Sequence, residues 1–567
     1  MDAHVVISGV VVVIVAMDVN VVTTYIVIVI VAMDANVVSS GIVIAIVAIN
    51  ANLSCYCWYR DRDQFYLSSF PATWVDGPLI SGVAEGVYTS GLAALQVPIG
   101  YAMGTIFHDI FSPAAAFFVK RMRRDGTVTM LDPLERKFGK IMTGFLFLPA
   151  LSGDMFWCAA TLSSLGTTLT VVVGLDHWIA ITVSAAVVLI YTLFGGLYSV
   201  SYTDVLQMIF LFLGLWIAIP FAMSSPYMTS LSETSQNWVG TIHSRDVSTY
   251  VDVTLQLVLG GIPWQALWQR ALAVKSAKIA KVTMYACAFG FILCTVPPLL
   301  IGMTAVSVDW NSTEYEGELP FAEDDVKLIA PLVLQYVCPF AVSLIGLGAV
   351  SAAVMSSADS ILLSSSSMFA NNVYKPARMG KASEREIIWA IRVFMTLMAI
   401  LTTVLAIEIT SIFALSILTS DLIYVILFPQ LTAALFVDAA NIYGSIAGYI
   451  AGLIIRVLSG EPLLGLRAVL QWPWYEEETD FQPFPYRTTS MLLSLITILL
   501  VSHVTNVAFR AGWLPRRCDV LHGVVGGQIE REAACEIQTA QKGTKETDDG
   551  FQENAGFTYH GITETYM

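Results

Sequence analysis

Leu257-Val-Leu-Gly-Gly-Ile-Pro-Trp-Gln-Ala-Leu-Trp-Gln-Arg270 lies inside an apolar segment, roughly 251–272, long enough to cross a bilayer. Gly260, Gly261 and Pro263 fall in its middle. Glycine favours an open backbone, and proline removes a donor and crowds the turn before it. The segment is therefore expected to break at membrane depth, where freed backbone groups are tolerated only if they line a cavity or are buried in protein. Trp264 follows the break directly. Phe70-Pro-Ala-Thr-Trp-Val-Asp-Gly-Pro78 has the same design. Two interrupted apolar segments in corresponding halves of a chain point to a transporter binding site near the midplane. The plainer reading is a pair of ordinary proline kinks.

The rest of the composition agrees with a membrane setting. Of 567 residues, 56% are hydrophobic and 13% charged, against about 25% charged in soluble chains. Twelve apolar segments can be marked out between roughly 64 and 512, with at least one more near the amino terminus. The expected fold is an all-α polytopic membrane protein of about 13 transmembrane helices. A net charge of −15 makes nucleic acid an unsuitable partner. Eight cysteines and seven histidines show no metal or disulfide spacing. No P-loop, HExxH or nucleophile–base constellation is present, so the chain reads as neither an enzyme nor an ATP-driven pump, and no cofactor is expected.

Three divisions follow along the chain. Residues 1–59 are an atypical apolar segment, enough for about one span. Within it Ile14-Val-Ala-Met-Asp-Val-Asn20 recurs at Ile30–Asn36 and Ile46–Asn52. Residues 60–515 form the regular core. Residues 516–567 are polar and net acidic, and are expected to be a disordered cytoplasmic tail. Basic loops at Lys120–Arg124, Arg136–Lys140, 275–281 and Lys375–Arg385 are expected inside the cell. The loop 309–325 has no Lys or Arg and carries the sequon Asn311-Ser-Thr313, so it is expected outside and glycosylated at Asn311.

Aromatic and acidic residues at membrane depth supply the chemistry. Trp74 and Trp264 flank the two breaks, Trp157 follows Gly153 and Asp154, and Tyr101 follows Gly100. Aromatic faces attract a desolvated cation, and cages of them hold quaternary ammonium groups, which offer no N–H to a hydrogen bond. The competing role is an interfacial belt or core packing. Asp76 and Asp154 are candidate counter-charges for a cation, and Asp359 is a third intramembrane acid. Pairing with a buried arginine such as Arg392 is the structural alternative. Gly348-Ala-Val-Ser-Ala-Ala-Val-Met-Ser-Ser-Ala-Asp-Ser360 offers the Ser356 and Ser357 hydroxyls to a small hard cation, or simply close helix packing.

Val128-Thr-Met-Leu-Asp-Pro133, Thr192-Leu-Phe-Gly-Gly-Leu-Tyr-Ser-Val200, Tyr202-Thr-Asp-Val205, Leu259–Gln265 and Gly346–Ser360 together resemble the choline-carrying members of the sodium–solute symporter family, over about residues 60–515. The resemblance implies a LeuT-type fold with an inverted five-plus-five helix repeat, at about 64–223 and 251–436. It implies high-affinity choline uptake across the plasma membrane with sodium and chloride as co-transported ions, supplying acetylcholine synthesis. It also implies a place in presynaptic terminals and synaptic vesicle membranes. By motif position, Trp74, Tyr101, Trp157 and Trp264 resemble the family's substrate cage. The Ala72, Val75 and Ala353 carbonyls with the Ser356 and Ser357 hydroxyls resemble its sodium site. One departure stands beside both: the family's first break reads Trp-Val-Gly-Gly-Gly, and here it is Trp74-Val-Asp-Gly-Pro78. Asp76 favours an alternative substrate, another organic cation. The altered break also favours a non-transporting membrane ligand sensor.

Overall fold

The computed structural model describes residues 75–110 and 129–521 apart from a few isolated positions, some residues between these stretches, and four strands before residue 49. Trp74 and Ala72 lie outside the described residues, as does almost all of the tail from 525.

The amino-terminal repeat forms an antiparallel meander. β1 (Ala3–Ile7), β2 (Val10–Met17), β3 (Thr24–Val31) and β4 (Val43–Ala48) pair in sequence order. Val11 faces Ile30 and Ile26 faces Ala48 in the register. The segment read as about one span is thus extended rather than helical where it is described. Its runs of Val and Ile explain why: branching at Cβ restricts χ1 in a helix and suits the pleated surface of a strand.

Among the described residues after 75, the regular elements are helices joined by turns and loops. Val75–Gly77 lead into a wide turn, Pro78–Gly82, and then α1 (Val83–Ser90). α2 (Gln96–Ile110) follows. Gly139, at φ 82°, ends the short α3 (Asp132–Phe138) and starts α4 (Lys140–Val173), which Gly174 closes in the left-handed conformation. α5 (His177–Met223) runs for 47 residues. Two separate segments are expected there, at 177–196 and 203–223. Gly195 and Gly196 stand at the expected end of the first, yet helix continues through them and through 197–202. Tyr191 on one arm and Gly214 on the other both pack on α9 (Phe340–Phe369).

The second half repeats the interrupted design. α6 (Val247–Gly260) stops at Gly261–Pro263, and α7 (Gln265–Ala273) restarts after Trp264, whose backbone is extended at φ −107°, ψ 122°. Ser276 caps α8 (Ala277–Ser307) by accepting from the Ile279 N–H at 3.2 Å. α10 (Glu384–Glu408), α11 (Ile412–Leu418), α12 (Phe428–Phe436), α13 (Ile442–Leu458) and α14 (Tyr486–Arg510) complete the core. Among the described residues seven helices are long and apolar enough to cross a membrane, and two apolar helices are shorter.

Small residues let these helices approach. A Cβ on Gly444 would lie 2.0 Å from Ser502 Oγ, and one on Gly448 would lie 2.3 Å from Ile498 Cγ1, so α13 and α14 touch along a glycine stripe. Charged residues tie the same region together. Arg456 pairs with Asp421 and Glu461, each at 2.6 Å. Asp252 of α6 accepts from the Arg487 and Thr488 backbone N–H groups at the start of α14.

Candidate substrate and ion site

The second break is held open by specific contacts. Gly260 leaves no room for a side chain, because a Cβ there would lie 2.8 Å from the Ser420 carbonyl oxygen. Pro263 has no N–H to give. The freed Ile262 carbonyl accepts from the Trp264 N–H at 3.0 Å and from Trp268 Nε1 at 2.9 Å. Gln256, one turn earlier, donates to the Ile417 carbonyl at 2.7 Å and to Ser420 Oγ at 3.1 Å. The backbone groups that a broken helix exposes are thus satisfied inside the protein, as membrane burial demands.

The first break packs against α4 and α9. A Cβ on Gly77 would lie 2.6 Å from Ser164 Cβ and 3.2 Å from Val354 Cγ2. Ser81 and Ser164 share a 2.6 Å hydrogen bond. Asp76 closes the turn, with Oδ1 accepting from the Leu79 N–H at 3.0 Å. Its other oxygen, Oδ2, has no hydrogen-bond partner in the protein, and the residue is wholly buried.

Three of the four expected cage aromatics meet between the breaks. Trp157 and Trp264 lie edge to face with ring centroids 4.8 Å apart. Tyr101 stands 5.5 Å from Trp157 and 6.2 Å from Trp264, again edge to face. All three are buried. The Tyr101 hydroxyl donates to the Ser416 carbonyl of α11 at 2.9 Å. Gly100 and Gly104, on either side of Tyr101, let α2 approach Leu257 and Val258 of α6. Trp157 lies against the Asp76 carboxylate, and Tyr101 is within reach of its charge. The aromatics and the acid therefore form one cluster.

The expected sodium ligands Val75, Ala353, Ser356 and Ser357 are all buried, on the first break and on α9. Ser356 Oγ donates to Asp204 Oδ1 at 2.5 Å, and Asp204 Oδ2 pairs with Arg270 at 2.8 Å. Arg270 also donates to Ser360 Oγ at 3.0 Å. Asp359 accepts from the Tyr191 hydroxyl at 3.0 Å, and Asp154 accepts from Ser365 Oγ. Arg392 stands over the exposed Trp389 ring instead of beside an intramembrane acid. The buried arginine that meets these acids is Arg270, the last residue of the stretch first quoted. Asp204 lies inside the Tyr202–Val205 motif, which was the available signal for it. Gln265 was also overlooked: its Oε1 accepts from the Met130 N–H at 2.8 Å, next to Trp264.

A helix broken at Gly261–Pro263, with the buried turn at residues 76–82 beside it and aromatics packed against both, is an arrangement suited to a secondary transporter. The chain belongs to the sodium:solute symporter family, whose model matches residues 68–452. It is 49% identical to high-affinity choline transporter 1 of Drosophila melanogaster, over 80% of this chain and 73% of that protein. It is 44% identical to high affinity choline transporter 1 of Homo sapiens, over 81% and 80% respectively. A sodium-coupled sialic acid symporter in a substrate-bound outward-open state is similar with a TM-score of 0.62 at 19% identity, covering 78% of this chain and 89% of that one. That likeness concerns the fold, and the expected all-α LeuT-type architecture of the core stands. The curated relatives are transporters, not enzymes.

Proposed function

We propose that this chain carries choline into the cell together with sodium. The observation that carries the reading is the Tyr101–Trp157–Trp264 cluster at the second break, with the Asp76 carboxylate of the first break against it. A quaternary ammonium has charge but no N–H, so electron-rich ring faces and a nearby negative charge are the groups that can hold it. Trp74 would complete the cage from the first break. Val75, Ala72 and Ala353 carbonyls with Ser356 and Ser357 would hold sodium next to it. The curated relatives' names support choline, and the family supports sodium.

Sodium binding would favour one arrangement of the broken helices, and choline would shift the population toward release on the other side. An inside-negative plasma membrane potential assists by about 2.3 kcal/mol per net positive charge per 100 mV. We extend the reading to chloride as a further co-transported ion and to acetylcholine synthesis as the fate of the choline. We also assign transport to residues 60–515, with 516–567 as a cytoplasmic tail. Labelled choline uptake in cells expressing the chain tests this, with sodium replaced by a large organic cation and chloride by gluconate in turn. Uptake should need sodium. Equal uptake without sodium, or none by a protein shown to be at the surface, would overturn the reading.

A further inference from the structure

The substrate cluster contains a group that choline cannot satisfy. Asp76 Oδ1 is used by the Leu79 N–H and the Trp157 side chain lies against the carboxylate, but Oδ2 is buried with no donor at hydrogen-bonding geometry. Among the described residues no lysine or arginine pairs with Asp76. The other acids near the breaks are placed differently: Asp204 is held by Arg270 and Ser356, and Asp154 by Ser365, while Asp359, which also keeps one buried oxygen unpartnered, accepts from Tyr191 and sits beside Asp204 and Arg270. A buried oxygen without a donor carries a desolvation cost that a bound donor removes. Choline's ammonium is capped by three methyl groups, and C–H contacts are weak substitutes for N–H.

We propose that Asp76 makes this site selective for ammonium ions that carry an N–H, so that a protonated tertiary amino alcohol is held more tightly than choline itself. The inference rests on the reading of the cluster as a cation site. N,N-dimethylethanolamine has the hydroxyethyl arm and the positive charge of choline, one methyl fewer, and one N–H. Its proton would point at Asp76 Oδ2 while its two methyls meet the rings of Tyr101, Trp157 and Trp264. The aromatic contacts are nearly common to both ligands, so the difference between them reports the single hydrogen bond. A hydrogen bond to a charged group is worth about tenfold or more in affinity.

Binding of choline and of N,N-dimethylethanolamine to the purified full chain, by calorimetry in sodium chloride at neutral pH, measures that ratio. The wild type should prefer dimethylethanolamine about tenfold, and Asp76→Asn and Asp76→Gly should each lose most of the preference. Equal affinities in the wild type, or the same ratio in all three proteins, would overturn the proposal. So would a change in sodium requirement with an unchanged ratio, because Oδ2 would then serve the ion. The choline reading fails separately: it fails if the wild type shows the tenfold preference yet takes up no choline in sodium.

Discussion

Ser356 gives its hydroxyl proton to Asp204, across 2.5 Å between α9 and α5. Its oxygen lone pairs are thereby left for another partner. A hydroxyl whose proton is committed to a carboxylate is a better ligand for a hard cation than one free to rotate. Ser356→Ala should raise the sodium concentration for half-maximal uptake severalfold with surface expression retained, and Asp204→Asn should do the same. Asp204→Asn should also lower thermal stability, since breaking a buried ion pair on one side costs about 3–5 kcal/mol. Unchanged sodium activation curves in both variants would place the ion elsewhere.

Trp264 tests the cage. Trp264→Leu keeps an apolar side chain but removes the electron-rich face that Trp157 and Tyr101 now pack against. Losing about 2 kcal/mol of cation attraction should weaken choline about thirtyfold, with Trp264→Phe between the two. Equal choline affinity for Trp, Phe and Leu in correctly trafficked proteins would leave Trp264 a packing residue only.

Asn311 tests the topology. It is exposed in the short turn Trp310–Ser312, beside the buried Trp310 ring. Glycosidase should shift the gel mobility of the wild type and not that of Asn311→Gln. An antibody to the carboxyl-terminal tail should stain only permeabilised cells. Staining of intact cells would reverse the assigned orientation.

Two glycines separate packing from flexibility. A Cβ on Gly444 meets Ser502 Oγ at 2.0 Å and the Ile498 carbonyl at 2.4 Å, whereas one on Gly348 meets nothing within 4 Å. Gly444→Ala should cost about 1–3 kcal/mol through overpacking of α13 on α14. Gly348→Ala should be neutral or stabilising by up to about 1 kcal/mol, through helix propensity. Thermal midpoints of the two purified variants give the comparison. Similar midpoints would mean that the α13–α14 contact yields without cost.

The helix interruption at 261–264 was legible because glycine and proline act locally: Gly260, Gly261 and Pro263 disfavour a regular helix whatever surrounds them. The packing of Tyr101, Trp157 and Trp264 into one cluster was legible for a related reason, since a tryptophan at such a break must face either the break or the lipid. Arg270 was in plain view in the same stretch, yet its partner Asp204 is 66 residues away in sequence. Only the packing of α5 on α7 and α9 brings the two together. The continuity of α5 was hidden for the opposite reason. Apolar periodicity marks where a chain is buried, not where a helix stops, and the Gly195–Gly196 pair that suggested a stop is carried within the helix.

The Met130–Gln265 hydrogen bond joins a loop to the residue beside Trp264. The loop is itself anchored at Asp132, which accepts from the Thr129 N–H at 3.1 Å and from Asn372 Nδ2 at 3.0 Å. Basic residues Arg121, Arg136 and Lys137 flank it, the charge pattern expected of a loop on the cytoplasmic side. If cargo binds at Trp264 and moves it, this bond would change how firmly the loop is seated. Such coupling is reciprocal: whatever holds or frees the loop from the cytoplasm changes cargo affinity by the same factor. On that reading, a contact made to the loop from inside the cell would act on capture at the outer face.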